Sequence, residues 1–350
     1  MEDAPAALTV NCGLCGFPAA RIFDGHSGYI APSTFDIYNC PNCETRFAFP
    51  MESDGKIYDL IYNNASKIPG YERYERYRRG LKSASSPLSY LAEQEDIYWS
   101  IAEALRQIGM RPAHKANQRI LEIGSGFGYL TYALNRAGYA CYGIDISVEG
   151  VASARRDFGD FYEAKDLMEM TSDEGRFDLI IATELIEHVV NPSAIIEKAK
   201  KLLKPGGRIL LTTPNKDLYS DRFVWHSDLP PVHLWWFSKT SLRRIGWQLG
   251  LSVTFVDFSK FYGRHIKPLY RSTKPQTFDE HGSVKFKDSL FNALARTLVA
   301  RYPRIFMTMA KIFICKQIFG KAFSERYRDS LSLCVVMEAF DFSSSTKTLR

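Results

Sequence analysis

Ile120-Leu121-Glu122-Ile123-Gly124-Ser125-Gly126-Phe127-Gly128 decides how the rest of the chain is read. An apolar strand runs straight into three glycines at alternate positions, and a helical pattern begins near Tyr129. Glycine at such a turn reaches dihedrals closed to other residues and lets the backbone approach a ligand. By itself the loop fits several classes of nucleotide-binding domain.

The surroundings narrow the choice. Apolar strands are predicted at 119–123, 140–144, 177–182 and 208–213, with helical stretches of suitable length between them. That alternation predicts an α/β fold built on a parallel, doubly wound sheet. Further strands are expected at 251–258 and 331–340. Asp145 closes the second strand 23 residues after Glu122, where an acid can hydrogen-bond both hydroxyls of a ribose. Asp166 and Leu167 follow the third strand, placed to take an adenine amino group and to pack the ring.

Four segments, in this order, resemble the class I S-adenosylmethionine-dependent methyltransferases: 121–128, Gly143-Ile144-Asp145, 178–184 (Asp-Leu-Ile-Ile-Ala-Thr-Glu) and 202–210 (Leu-Leu-Lys-Pro-Gly-Gly-Arg-Ile-Leu). The resemblance implies a Rossmann-like domain with S-adenosyl-L-methionine as cofactor. It implies that Glu122, Gly124, Ser125, Gly126 and Gly128 hold the methionine part, Asp145 with Ile146 the ribose side, and Asp166 with Leu167 the adenine, with Thr183 also at the cofactor.

On the acceptor side, Glu184-Leu-Ile-Glu187-His188 follows the fourth strand and His233 lies in a second loop, 231–238. The pair resembles ubiquinone-biosynthesis O-methyltransferases and small-RNA 2′-O-methyltransferases, which implies a catalytic role for Glu184, Glu187, His188 and His233. Three readings stay open: a histidine general base without metal, Mg²⁺ held by these four residues, or a purely structural role. Trp225, Trp235 and Trp236 suit either a flat acceptor face or the core.

Towards the N-terminus, Cys12-Gly-Leu-Cys15 and Cys40-Pro-Asn-Cys43 form two knuckles 24 residues apart. Four thiolates at this spacing fit a tetrahedral, structural Zn²⁺ in a zinc-ribbon-like module, with short strands at 19–23, 35–39 and 45–49. His26 is a spare ligand candidate and is not expected to bind. The expected organisation is a zinc module at 1–55, a tyrosine-rich helical cover at 56–116, the cofactor-binding core at 117–262, a basic helical insertion at 263–328, the last strand at 329–342 and a tail at 343–350.

Composition sets the outer bounds. The 350 residues are 45% hydrophobic and 24% charged, which excludes collagen-like, largely disordered and multi-span membrane chains. The N-terminal stretch shows no secretory pattern, so the cytoplasm is the expected compartment. From Lys260 to Arg328 there are fifteen Lys and Arg against four acids, a local +11 within a chain of net +6. Phe291, Leu294, Leu298, Ile305, Met309 and Phe313 recur there at helical spacing. A packing helix is one reading, and peripheral contact with anionic membrane or a lipid-linked carrier at its inner face is another, with nucleic acid less favoured.

The whole arrangement resembles methyltransferases of bacterial surface-polysaccharide and sugar biosynthesis, which implies O-methylation of a sugar or glycan acceptor. An RNA methyltransferase with a zinc module is the alternative, although Ala182-Thr183-Glu184 is not a base-gripping motif. A non-catalytic scaffold keeping the cofactor fold is disfavoured by the intact glycine loop and Asp145.

Overall fold

The computed structural model describes residues 9–52, 55–64, 72–112, 116–171, 175–218, 229–263 and 330–340. The basic segment at 264–329, Trp225 and the tail at 343–350 lie outside the described residues, and with them the expected amphipathic helix.

The chain opens on β1 (Val10–Asn11), β2 (Pro18–Ser27), β3 (Thr34–Asn39) and β4 (Arg46–Phe49). Four helices follow: α1 (Lys56–Asn64), α2 (Glu72–Ser83), α3 (Pro87–Gln94) and α4 (Asp96–Gln107). Next come β5 (Arg119–Ile123), α5 (Tyr129–Arg136), β6 (Ala140–Asp145), α6 (Val148–Phe158), β7 (Tyr162–Ala164), β8 (Phe177–Thr183), α7 (Pro192–Leu202) and β9 (Leu203–Pro214). The C-terminal part holds β10 (Trp235–Trp236), α8 (Lys239–Gln248), β11 (Leu251–Phe255), α9 (Ser259–Tyr262) and β12 (Ser332–Ala339).

Among the described residues the main sheet has seven strands in the order β11-β12-β9-β8-β5-β6-β7. From β9 to β7 all neighbours are parallel, whereas β12 enters antiparallel beside β9 and β11 antiparallel beside β12. The doubly wound expectation therefore holds. β11 leaves the ladder at Phe255 instead of continuing to 258, because its last pair is Phe255 with Val335. β9 begins at Leu203, earlier than the expected 208, with a register irregularity that absorbs the Lys204-Pro205-Gly206-Gly207 stretch.

Side chains alternate across this sheet with period two. Ile120, Leu179, Ile181 and Leu210 face one layer, where Leu91, Ile101, Ala104, Leu105, Leu130 and Leu134 meet them. Leu121, Ile180, Ala182 and Leu211 face the other, against Ile196, Leu202, Leu242 and Ile245. Burial on both faces explains why the parallel strands read as unbroken apolar runs.

Two expectations need correction. The tyrosine-rich helices are not a cover: Tyr77, Leu81, Leu91, Ile101 and Leu105 are all buried in the same cluster as the sheet.

The N-terminal block is likewise less separate than the spacing of its cysteines suggested. Its sheet runs β1-β2-β3-β4-β10, so the edge beside β4 is closed by Trp235–Trp236 from the far side of the sequence. Trp235 and Trp236 are buried there, and Trp235 Nε1–H donates to Val189 O at 2.9 Å, so they are packing residues and not an acceptor face.

Leu91→Ala measures how far the helical layer is part of the core. Urea denaturation should show a loss of about 2–5 kcal/mol, the usual range for emptying a fully buried leucine site. A loss under about 0.5 kcal/mol, ordinary for a surface substitution, would mark the layer as a loose cover.

Candidate active site and cysteine cluster

The glycine loop turns because Gly124, Gly126 and Gly128 hold positive φ values of 71°, 50° and 80°. The turn is fastened to β6. Gly124 and Ser125 donate their N–H groups to Ile144 O at 2.8 and 3.0 Å, and Gly126 N–H donates to Asp145 Oδ2 at 2.7 Å. Ser147 N–H donates to Asp145 Oδ1 at 2.8 Å, so the carboxylate is fixed from both sides. Burial pushes its pKa up, while these two amide bonds pull the other way.

One cavity of about 660 Å³ opens at the carboxyl ends of β5, β6 and β8. Glu122, Gly124, Ser125, Gly126, Asp145, Ile146, Asp166, Leu167 and Thr183 all line it. Gly128 does not: it caps α5, accepts at its carbonyl from Tyr162 Oη–H at 2.7 Å, and an added Cβ would lie 2.6 Å from the Tyr162 ring. It is a packing glycine, a correction to its expected place at the cofactor. Asp166 spends one oxygen within the chain, since Oδ1 accepts from Met168 N–H at 2.9 Å.

The same cavity reaches Glu184, Glu187, His188 and His233. Glu184 directly follows β8, with φ +47°, and its N–H donates to Thr212 O at 3.1 Å. Glu187 is 1% exposed and accepts from Thr213 Oγ1–H at 2.9 Å. His188 Nδ1 lies 2.8 Å from Val232 O, a carbonyl that only accepts, so Nδ1 carries the proton and Nε2 the lone pair. That Nε2 lies 3.7 Å from Glu187 Oε1. His233 is 7% exposed with its ring centroid 4.7 Å from that of His188. Burial, and secondarily His188, hold His233 well below the ordinary histidine pKa, so it is neutral near pH 7.

Several buried polar atoms on this cavity have no hydrogen-bond partner among the described residues: Ser125 Oγ, Thr183 Oγ1, Glu184 Oε1 and His233 Nδ1. Burial also pushes the carboxyls of Glu122 and Glu184 up to about 8 each. Orphaned polar atoms and buried acids suit a polar, positively charged ligand. S-adenosylmethionine, with its ammonium and sulfonium, has that chemistry, and the residues fit it.

A bound magnesium ion fits less well. Glu187, His188 and His233 bring ligand atoms within 4.8 Å of one another, while Glu184 stands outside the group. The expected four-residue set therefore does not assemble, and its two imidazole nitrogens are poor partners for Mg²⁺, which takes oxygen ligands.

Sequence reasoning missed part of the wall. Tyr58, Tyr62, Arg73, Tyr74 and Glu95 from the helical layer line the cavity, with Tyr62 packed edge-on to Phe127 at 4.9 Å. Their signal was the tyrosine-rich composition of 56–116, which read as a cover.

The four cysteines of the N-terminal block do converge, all within 4.8 Å, with Cys12 and Cys43 sulfurs 3.6 Å apart and Cys15 and Cys40 sulfurs 3.5 Å apart. Bonds of about 2.3 Å in a tetrahedron place sulfurs about 3.8 Å apart, so the cluster fits Zn²⁺. The knuckles are built alike: Gly16 N–H donates to Cys12 O at 2.8 Å and Glu44 N–H to Cys40 O at 2.9 Å, both with positive φ. His26 is not in the cluster, and its Nδ1 meets Ser27 O.

Comparison with known proteins agrees with this geometry. A family model described as "Methyltransferase domain" matches residues 94–255. Ubiquinone biosynthesis O-methyltransferase of Pseudomonas aeruginosa is 32% identical over 108 residues, 29% of this chain and 47% of that protein. Its counterpart from Coxiella burnetii is 32% identical over 117 residues, 32% of this chain and 48% of that protein. The chain thus spans about half the length of the curated relatives it matches. Among solved structures, an S-adenosylmethionine-dependent methyltransferase from Mesorhizobium loti is 17% identical with a TM-score of 0.39, covering 68% of this chain and 97% of that one. Residues 94–255 thus match a model of methyltransferase domains, and the described sheet has a Rossmann-like strand order.

Asp145→Ala and Gly126→Arg should each abolish calorimetric binding of S-adenosylhomocysteine while leaving the fold intact. Undiminished affinity in both would remove the cofactor assignment. The pH dependence has a definite sign. With Glu122 pushed up to about 8 in the free protein, binding an ammonium beside it at pH 6–7 should release close to one proton, so affinity rises with pH across that window. Titrations in buffers of different ionisation enthalpy should show the release in the wild type and its loss in Glu122→Gln. For the cysteine cluster, elemental analysis of reduced protein should find about one equivalent of zinc.

Proposed function

We propose that the chain is an S-adenosylmethionine-dependent O-methyltransferase whose acceptor is a hydroxyl of a sugar or glycan intermediate. The observation that carries the methyl-transfer reading is that one cavity joins the expected cofactor residues to a pair of imidazoles, His188 and His233. The names of the O-methyltransferase relatives support the oxygen acceptor. The sugar class rests on the resemblance of the whole arrangement to polysaccharide and sugar methyltransferases.

When bound, the cofactor supplies an electrophilic methyl group on a sulfonium. The protein must then hold the acceptor oxygen in line with that carbon and take its proton. His188 is set for the second task, because its Nδ1–H is engaged by Val232 O and its Nε2 holds the lone pair. The Glu187 carboxyl at 3.7 Å stabilises the imidazolium that forms. His233, kept neutral by burial, offers a hydrogen-bonding nitrogen to the acceptor without repelling the positive His188 that follows. Glu184 lines the same cavity.

The basic stretch at 264–329 lies outside the described residues, so contact with anionic lipid or a lipid-linked carrier is a proposal from its charge alone. No described helix is long and apolar enough to cross a membrane.

Incubation with methyl-labelled S-adenosylmethionine and separate pools of nucleotide sugars, lipid-linked oligosaccharides, polysaccharide and RNA should label a carbohydrate pool. Labelled RNA alone would replace this reading with the RNA alternative. On the labelled pool, His188→Ala should lower turnover roughly 10²- to 10⁴-fold, the range for loss of a general base, with cofactor affinity unchanged. Turnover within twofold of wild type would assign the proton elsewhere.

A further inference from the structure

The cysteine ribbon and the acceptor histidines meet on one segment, 229–238. β10 closes the ribbon sheet by pairing Trp235 with Phe47 and Trp236 with Arg46, and His233 stands two residues before that pairing. Backbone bonds tie the approach to β10 to the ribbon at several points. Tyr29 N–H donates to Pro230 O at 2.7 Å and Ala48 N–H to Leu234 O at 2.9 Å. The Thr45 hydroxyl donates to Trp236 O at 3.1 Å, and Ser238 Oγ–H reaches Cys43 O at 3.4 Å.

The other side of the same segment holds the acceptor site. Leu234 N–H donates to Glu187 O at 2.8 Å, and Val232 O receives the His188 Nδ1–H. Residue 234 is therefore a clamp point, its carbonyl on the ribbon and its amide on the loop that carries Glu187 and His188. An apolar seam reinforces the clamp, where Tyr29 of the ribbon packs with Ile57 and Ile61 of α1 and with Leu229 and Val232.

A strand of two residues cannot hold its own register, so its partner must supply it. Side chains alternate along such a segment, and a slip of one residue would turn His233 away from His188. The partner strand, β4, begins three residues after Cys43, so the geometry of the second knuckle sets where β4 starts.

We propose that the ribbon is a positioning element of the acceptor site. The ion held by Cys12, Cys15, Cys40 and Cys43 fixes β4, β4 fixes β10, and β10 fixes His233 against His188. Thr45, Ala48 and Tyr29 are the positioning residues. The cofactor end of the cavity is built on β5 and β6, which are held by their pairing with each other and with β8 and β7 in the seven-stranded sheet, so the ribbon governs one half of the site. The inference rests on the reading of His188 and His233 as the acceptor end.

The test compares the full chain loaded with zinc, stripped by a strong chelator, and reloaded. Hydrogen exchange of 229–237 and carbethoxylation of His233 by diethyl pyrocarbonate are followed by mass spectrometry, with S-adenosylhomocysteine affinity measured in parallel. Stripping should raise exchange in 229–237 by roughly tenfold or more and make His233 reactive, while 119–145 stays protected and affinity changes less than about threefold. Reloading should reverse both. Thr45→Val, which keeps shape and loses the hydroxyl, should move the zinc-loaded protein in the same direction, and Thr45→Ser should restore protection. Unchanged protection of 229–237 after verified zinc loss would overturn the proposal, as would equal deprotection of 119–145, which would mark general unfolding. If the zinc-loaded protein fails to bind S-adenosylhomocysteine yet 229–237 still responds to zinc, the clamp stands and the methyl-transfer reading falls.

Discussion

The site depends on the parallel placement of β5 between β6 and β8. The strand order reverses there, so the loops leaving β5 and β8 diverge and a crevice opens between them, the usual ligand position in an open α/β sheet. The glycine loop forms one wall of the crevice and Glu184 with the histidine loop the other. Fixing Asp145 with the amides of Gly126 and Ser147 closes the third side. Every later feature of the site is an attachment to that crevice.

Electrostatics complement the geometry. Two carboxyls, Glu122 and Glu184, are buried on one cavity, and burial pushes each up to about 8. The imidazole of His233 is pushed the other way by the same burial. Both shifts favour a ligand that brings its own positive charge to the acids and leaves His233 unprotonated.

The cofactor half was largely legible in the sequence, because its requirements are local: glycines at positive φ, an acid at the end of the next strand and an apolar run before each. The cysteine knuckles were legible for the same reason. What the sequence hid was tertiary. The pairing of Trp235–Trp236 with β4 joins residues nearly two hundred positions apart through a strand too short to show periodicity. Burial of the tyrosine-rich helices depends on what they pack against, and tyrosine is at home on either side of that boundary. Gly128 and Glu184 each belong to a recognisable motif, yet one is held by the Tyr162 ring and the other lies apart from the Glu187, His188 and His233 group.

The central claim is that one cavity carries the cofactor at one end and presents its methyl position to His188 and His233 at the other. A crystal structure of the full chain with S-adenosylhomocysteine tests it most directly. The account predicts the ribose hydroxyls on Asp145, the adenine beside Asp166 and Leu167, the amino group at Glu122 and the sulfur facing the two histidines. A ligand seated elsewhere, or one whose sulfur faces away from His188 and His233, would contradict it.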